Sequence, residues 1–166
     1  MMMIVRSLGF LLLGVSAAAA QGNSCAMVQE SFTAVATAPA YRQSTKVPGM
    51  PGGMEAIVIG DVIYARMDNK WNKIPLKAGG RKGMVEQLMS LTNMSNCREI
   101  GTEDINGRKL TVIEYMMTAP KGMPGDDGKP KKHSLWISQD NKRPYRLVSE
   151  GVEVDIQYEN IAAPIP

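Results

Sequence analysis

The chain has 166 residues, 44% of them hydrophobic, 21% charged and only 5% aromatic, with a net charge of +3. That composition fits a folded domain and excludes a disordered chain. A single apolar run excludes a polytopic membrane protein, and scattered charge without finger, phosphate-loop or dinucleotide motifs excludes the usual nucleic-acid binders.

The apolar run is N-terminal. Arg6, the stretch Leu8–Val15 and Ala18-Ala19-Ala20 have the order of a secretory signal peptide cleaved near Ala20. Residues 1–20 are therefore expected to be removed, leaving residues 21–166 as a single domain in the periplasm. Cys25 follows Gly22-Asn23-Ser24, which is not a lipobox. The run is short for a membrane span. Cys25 and Cys97, an even pair in an oxidising compartment, suggest one disulfide, with two free buried thiols as the alternative. Their spacing matches neither a redox pair nor a zinc site.

Ser24 reads as the N-cap of a helix over 25–38, with Val28, Phe32, Val35 and Ala36 as its apolar stripe and Pro39 as its stop. Strands are predicted at 41–47, 54–59, 61–67 and 71–76, with Pro48–Gly53 a loop, Gly60-Asp61 a turn and Asp68-Asn69-Lys70 another. Gly79–Gly83 reads as a basic loop and Met84–Met94 as an amphipathic helix. A strand over 97–105 meets its return strand, 108–118, at Asn106-Gly107, a type I′ hairpin signal. Residues 119–132 form a Pro/Gly/Asp/Lys loop. Strands follow at 132–138, 145–150 and 152–158; the last alternates, with Val152, Val154, Ile156 and Tyr158 on one face. The expectation is an α+β fold built on an antiparallel sheet.

Catalytic chemistry is sparse. His133 is the single histidine, and strand alternation sends Ser134 to the opposite face, so the two make a poor nucleophile pair. Glu103-Asp104 and Asp126-Asp127 fall near turns or in loops, where carboxylates are normally solvated. Asp126-Asp127-Gly128 lacks the rest of a calcium loop. Thirteen methionines raise a copper(I) reading through Met116, Met117, Met123 and His133. Adaptable core or groove lining is the simpler use of thioether side chains. No enzyme activity, cofactor or metal is expected.

From residue 57 onward, Ile57-Val58-Ile59-Gly60-Asp61-Val62-Ile63-Tyr64, then Trp71 and Ile74-Pro75-Leu76, then Gly101-x-Glu103-x-x-x-Gly107 make a pattern that resembles the LolA/LolB-like superfamily. It continues through Leu135-Trp136-Ile137-Ser138, Pro144-Tyr145-Arg146-Leu147 and Tyr158-Glu159-Asn160-Ile161 with Pro164. It covers about residues 54–164. It implies a curved antiparallel sheet, an incomplete barrel closed by two or more helices, with an apolar cavity for acyl chains. The residues expected to line that groove are Ile57, Ile59, Ile63, Trp71, Met84, Leu88, Met89, Leu91, Met117 and Trp136. Lipoprotein carriers of this superfamily hold a lid shut with an Arg on the sheet, a role for which Arg42 and Arg66 are the candidates. The chain departs from a full carrier in its shortness, its scarce aromatics and its lack of a lipid anchor.

The function expected from this is a soluble periplasmic lipid- or lipoprotein-binding, carrier-like protein without catalysis. Its partners would be acyl chains of a lipid or lipidated protein, and possibly another cell-envelope protein. The alternative is an envelope protein–protein interaction module of the same fold without a ligand cavity, using the Pro48–Gly53 and Pro120–Pro130 loops.

Overall fold

A computed structural model describes residues 17–67, 69–118, 122 and 127–166, with side chains from residue 23 onward. Most of the expected signal peptide (1–16), and residues 119–121 and 123–126 of the 119–132 loop, Met123 and Asp126 among them, lie outside the described residues.

The chain runs α1 (Ala17–Thr37), β1 (Ala40–Val47), β2 (Met50–Ile59), β3 (Val62–Met67), β4 (Lys70–Pro75), α2 (Gly80–Leu91), β5 (Asn93–Ile105), β6 (Arg108–Thr118), β7 (Lys131–Ser138), β8 (Pro144–Ser149) and β9 (Val152–Gln157). All nine strands join one antiparallel sheet in the order β4-β3-β2-β1-β9-β8-β7-β6-β5. Two meanders thus meet where β1 pairs with β9, and β4 and β5 are left as unpaired edges.

The segment from Pro75 to Asn93 must carry the chain from one edge to the other. A flat nine-stranded sheet is about 38 Å across at ~4.8 Å per gap. The 12-residue helix α2 with its short flanks reaches about the same distance only when fully stretched. Because α2 also packs beside α1, the edges have to approach one another, as they do when a sheet coils into part of a barrel.

Register sorts the side chains into two faces. Ile113, Tyr115, Leu135 and Ile137 close around Val28 of α1 and Cys97 of β5, with Phe32, Met94, Met117 and Leu147 packed against them. This helix-bearing face is the core. The disulfide Cys25–Cys97, with Cα atoms 5.2 Å apart, fastens α1 to β5. The opposite, outer face carries crossed ion pairs: Arg98 and Lys132 on Glu114, Arg146 on Asp155, and Arg42 and Arg66 on Glu55. Lys132 and then Arg98 hold the Glu114 carboxyl below the usual carboxylate range.

Several boundaries differ from expectation. Helix α1 is already helical at Ala17, the first described residue, through alanines that are the best helix formers; Ser24 is therefore an interior residue rather than the N-cap. Pro48–Gly53 is not one loop. The turn is confined to Pro48-Gly49, and Met50 onward is β2. Between the pairs Thr45↔Met54 and Val47↔Met50 the register shifts, so Pro51-Gly52-Gly53 bulge opposite Lys46. Proline, lacking an N–H, is tolerated there. Gly79–Gly83 is likewise mostly helix. The Asp61 carboxylate accepts N–H groups from Gly79 (2.9 Å) and Arg81 (3.3 Å), satisfying orphan donors so that α2 starts at Gly80 despite its glycines. Met94 falls in β5, not α2. Asn106 (φ 53°) and Gly107 (φ 74°) make the expected turn.

His133 and Ser134 face opposite ways. His133 pairs with Tyr115, and their rings stack at 5.1 Å. Burial pushes the imidazole below its ordinary value; nearby Glu150 opposes this and Lys131 adds to it.

Two predictions follow from the core. The disulfide closes a loop of sequence separation 72, so Cys25→Ser/Cys97→Ser should lose about 4 kcal/mol in urea unfolding, with reductant matching it in the parent protein. The unfolded chain binds a proton at His133 near the ordinary value, about 6.5, while the folded chain resists it. Stability contributed by this residue is therefore complete above that pH and declines as pH falls below it. The urea midpoint should drop between about pH 7 and pH 5, and His133→Asn should flatten that slope.

Candidate functional site

Helix α1 packs on β5, β6 and β8 and on Leu135 and Ile137 of β7. Neither helix packs comparably on β1–β4. On that half of the helix-bearing face lies an open depression of about 790 Å³. Its floor is Gln43 and Thr45 of β1, Met54 and Ala56 of β2, and Ala65 and Met67 of β3, residues that register places on one face. Met50 and Asn69 stand at its rim. Met50 and Met54 are each 48% exposed and Met67 62%, an unusual state for long apolar side chains brought together on one surface.

The bulge shapes this site. Gly53 has φ 60°, and a Cβ there would lie 2.5 Å from the Thr45 carbonyl oxygen. Only glycine allows that approach, which lets the ladder shift register between Thr45↔Met54 and Val47↔Met50 and keeps both methionines paired with β1.

The ten residues expected to line a groove do not form one surface. Ile57 and Ile59 share the outer face with Arg42 and Tyr64; Ile57 is buried there. Trp71, opposite Arg66, is on the same outer face. So is Trp136, whose indole N–H donates to Glu103 at 2.6 Å. Glu103 is thus a hydrogen-bond acceptor rather than a merely solvated turn residue. Ile63 and Met117 are on the helix-bearing face, at the two ends of the sheet. Met89 turns toward α1 and lines a 260 Å³ cleft with Val85, Ala36 and Thr33. Met84, Leu88 and Leu91 are exposed. Met50, Met54 and Met67 were absent from the expected lining. Their signal was present in the parity of Met54-Ala56 and Ala65-Met67 about the Gly60-Asp61 turn, but the Pro-Gly-rich stretch masked it.

Arg42 and Arg66 flank Glu55 at 3.4 and 3.0 Å on the outer face, away from both helices. The residue that ties a helix down is Arg81. Its guanidinium donates to the Ala38 carbonyl at 2.5 Å and lies 5.9 Å from the Tyr41 ring centroid. Met116 and Met117 are adjacent on β6 and point to opposite faces, so they do not converge on one ion. Among the described residues no three His, Cys, Asp or Glu side chains cluster as metal ligands. None of their helices is long and apolar enough to cross a membrane.

No family model matches the sequence, and no curated protein matches it. Solved structures do match the fold. The lipoprotein LppX of Mycobacterium tuberculosis superposes with a TM-score of 0.52 at 17% identity, over 87% of this chain and 98% of that one. A LolA superfamily protein from Nitrosomonas europaea matches over 86% of this chain and 94% of its own, at 11% identity and a TM-score of 0.30. The chain has a LolA/LolB-like fold, the one it shares with LppX. MucB in complex with MucA(peri) superposes with a TM-score of 0.51 at 13% identity, over 85% of this chain and 57% of MucB.

The position of α2 depends on Asp61, which accepts the N–H groups at its start, and on Arg81, which holds it to Ala38. Asp61→Ala removes the acceptor for two helix N–H groups and should cost about 1 kcal/mol. Hydrogen exchange should quicken over residues 80–91 first, while β5–β7 amides stay protected.

Proposed function

We propose that this protein is an exported, non-catalytic, carrier-like binder of lipids or lipidated proteins. In this reading residues 1–20 are removed on export, the domain works in the periplasm, the helices close the β5–β8 side of the sheet, and the cargo lies on the side they leave open. The observation that carries it is the depression over β1–β3, floored by methionines on a sheet face that the helices leave open. Its volume of about 790 Å³ is in the range of small-molecule sites. Thioether side chains adapt to acyl chains of different length and unsaturation. Each buried methylene contributes about 0.8 kcal/mol, so a short stretch of chain is enough for useful affinity. The resemblance to a lipoprotein of known structure supports the fold in which such a site occurs.

A second reading, a docking module for another envelope protein, draws on the complex of MucB with MucA(peri). There the exposed bulge Met50–Gly53 is the natural contact.

Native mass spectrometry of the periplasmically expressed protein separates the two. Co-purifying phospholipid or acyl chains are expected on the parent protein. Met54→Asp and Met67→Asp should each lower occupancy at least ten-fold, about the loss of two buried methylenes. An apo mass that takes up no added lipid would refute the carrier reading and leave the docking module.

A further inference from the structure

We infer that Met50, Met54 and Met67 form a thioether site for a soft univalent metal ion, copper(I). The site does not rest on the cargo reading: coordination requires sulfur, whereas an acyl chain requires only apolar volume.

Every large apolar side chain lining the depression over β1–β3 is a methionine. Elsewhere the chain fills apolar positions with branched residues; Leu110, Ile113, Leu135 and Ile137 are all buried. Register pairs two of the methionines. The β2–β3 ladder runs from Ile59↔Val62 to Glu55↔Arg66, and its next step sets Met54 opposite Met67. Residues opposite one another in an antiparallel pair have Cβ atoms about 5 Å apart. Two sulfurs on one ion, each ~2.3 Å from it, are about 4 Å apart, a span that the two side chains reach by rotation alone. Met50 enters the same depression from beyond the bulge and borders, with Met54, the adjoining recess of about 390 Å³. Met50 and Met54 are 48% exposed and Met67 62%, so close packing does not oppose the rotation, and the unbranched thioether chain is flexible enough to make it.

Donor chemistry decides the ion. The polar groups on the same floor, Gln43 and Thr45, are neutral. The nearest carboxylate, Glu55, is held on the outer face by Arg42 and Arg66. Among the described residues no three His, Cys, Asp or Glu side chains cluster, so the depression lacks the donor set that zinc, magnesium or calcium requires. Thioethers are soft ligands and select copper(I) over these harder divalent ions. Lys70 pairs with Met67 across the β3–β4 turn. It is exposed, where salt and water screen its repulsion of a univalent ion.

The test titrates the periplasmically expressed protein with silver(I), a redox-stable stand-in for copper(I), and reads bound metal by native mass spectrometry. A single silver ion per chain is expected, copper(I) should displace it, and zinc should not be taken up under the same conditions. Isotope-labelled methyl signals of Met50, Met54 and Met67 should shift on silver binding, and that of Met84 on α2 should not. Met54→Leu and Met67→Leu keep the apolar volume and remove the sulfur. Each should lower silver affinity at least about ten-fold, the effect of losing a group that merely orients a ligand and so a floor for losing the ligand itself. Met54→Leu/Met67→Leu should bind no silver, while Met84→Leu binds it as the parent does. The substituted positions are exposed, so the variants should fold. Three results would overturn the site: no silver uptake at micromolar metal, uptake retained by Met54→Leu/Met67→Leu, or zinc bound as readily as silver. Silver binding on a protein that takes up no lipid would refute only the carrier reading. Lipid on a protein that takes up no silver would refute only the metal site.

Discussion

The strands present an apolar face that α1 cannot cover alone. Its part beyond the proposed cleavage, residues 21–37, is about 25 Å long and 10 Å wide, enough for less than half the sheet. The covalent bond between Cys25 and Cys97 decides which half. With α1 fastened to β5, the β5–β8 side becomes a dry core around Val28, and the β1–β3 side keeps its methionines in solvent. The depression, the loosely seated α2 and the functional reading all descend from that unequal coverage.

The outer face is held by different physics. Its cross-strand pairs are partly exposed and individually contribute little. Their spacing along adjacent strands nonetheless favours one register, because a slip by one residue would bring Arg42, Glu55 and Arg66 to the apolar side. Charge on one face and apolar burial on the other thus specify the same alignment.

Most of the element order was legible because it is written in local chemistry. Asn106-Gly107 dictates its turn, and Arg108–Thr118 was bounded correctly by sequence alone. Pro39 limits α1, and the alternation of Val152–Ile156 names its own face. The failures came where a distant residue overrides the local signal. The glycines at 79–83 read as loop because the carboxylate that caps them belongs to Asp61, on a different turn. The Pro-Gly run at 51–53 read as loop because the partner strand that turns it into a bulge cannot be inferred from composition. The site suffered for the same reason. Hydrophobicity picked Ile57, Ile59, Trp71 and Trp136, yet only strand pairing reveals that they face away from the depression.

An unclosed sheet also keeps two free borders, and each is guarded. Strand β4 carries Lys70, Lys73 and Pro75, so an incoming strand would meet buried charge and a missing donor. Strand β5 breaks its ladder twice, between Ser95 and Arg98 and between Glu99 and Gly101, and so offers no long straight template. The fold can leave its sheet unclosed without inviting a second copy of itself to extend it, which separates this architecture from a seed for polymerisation.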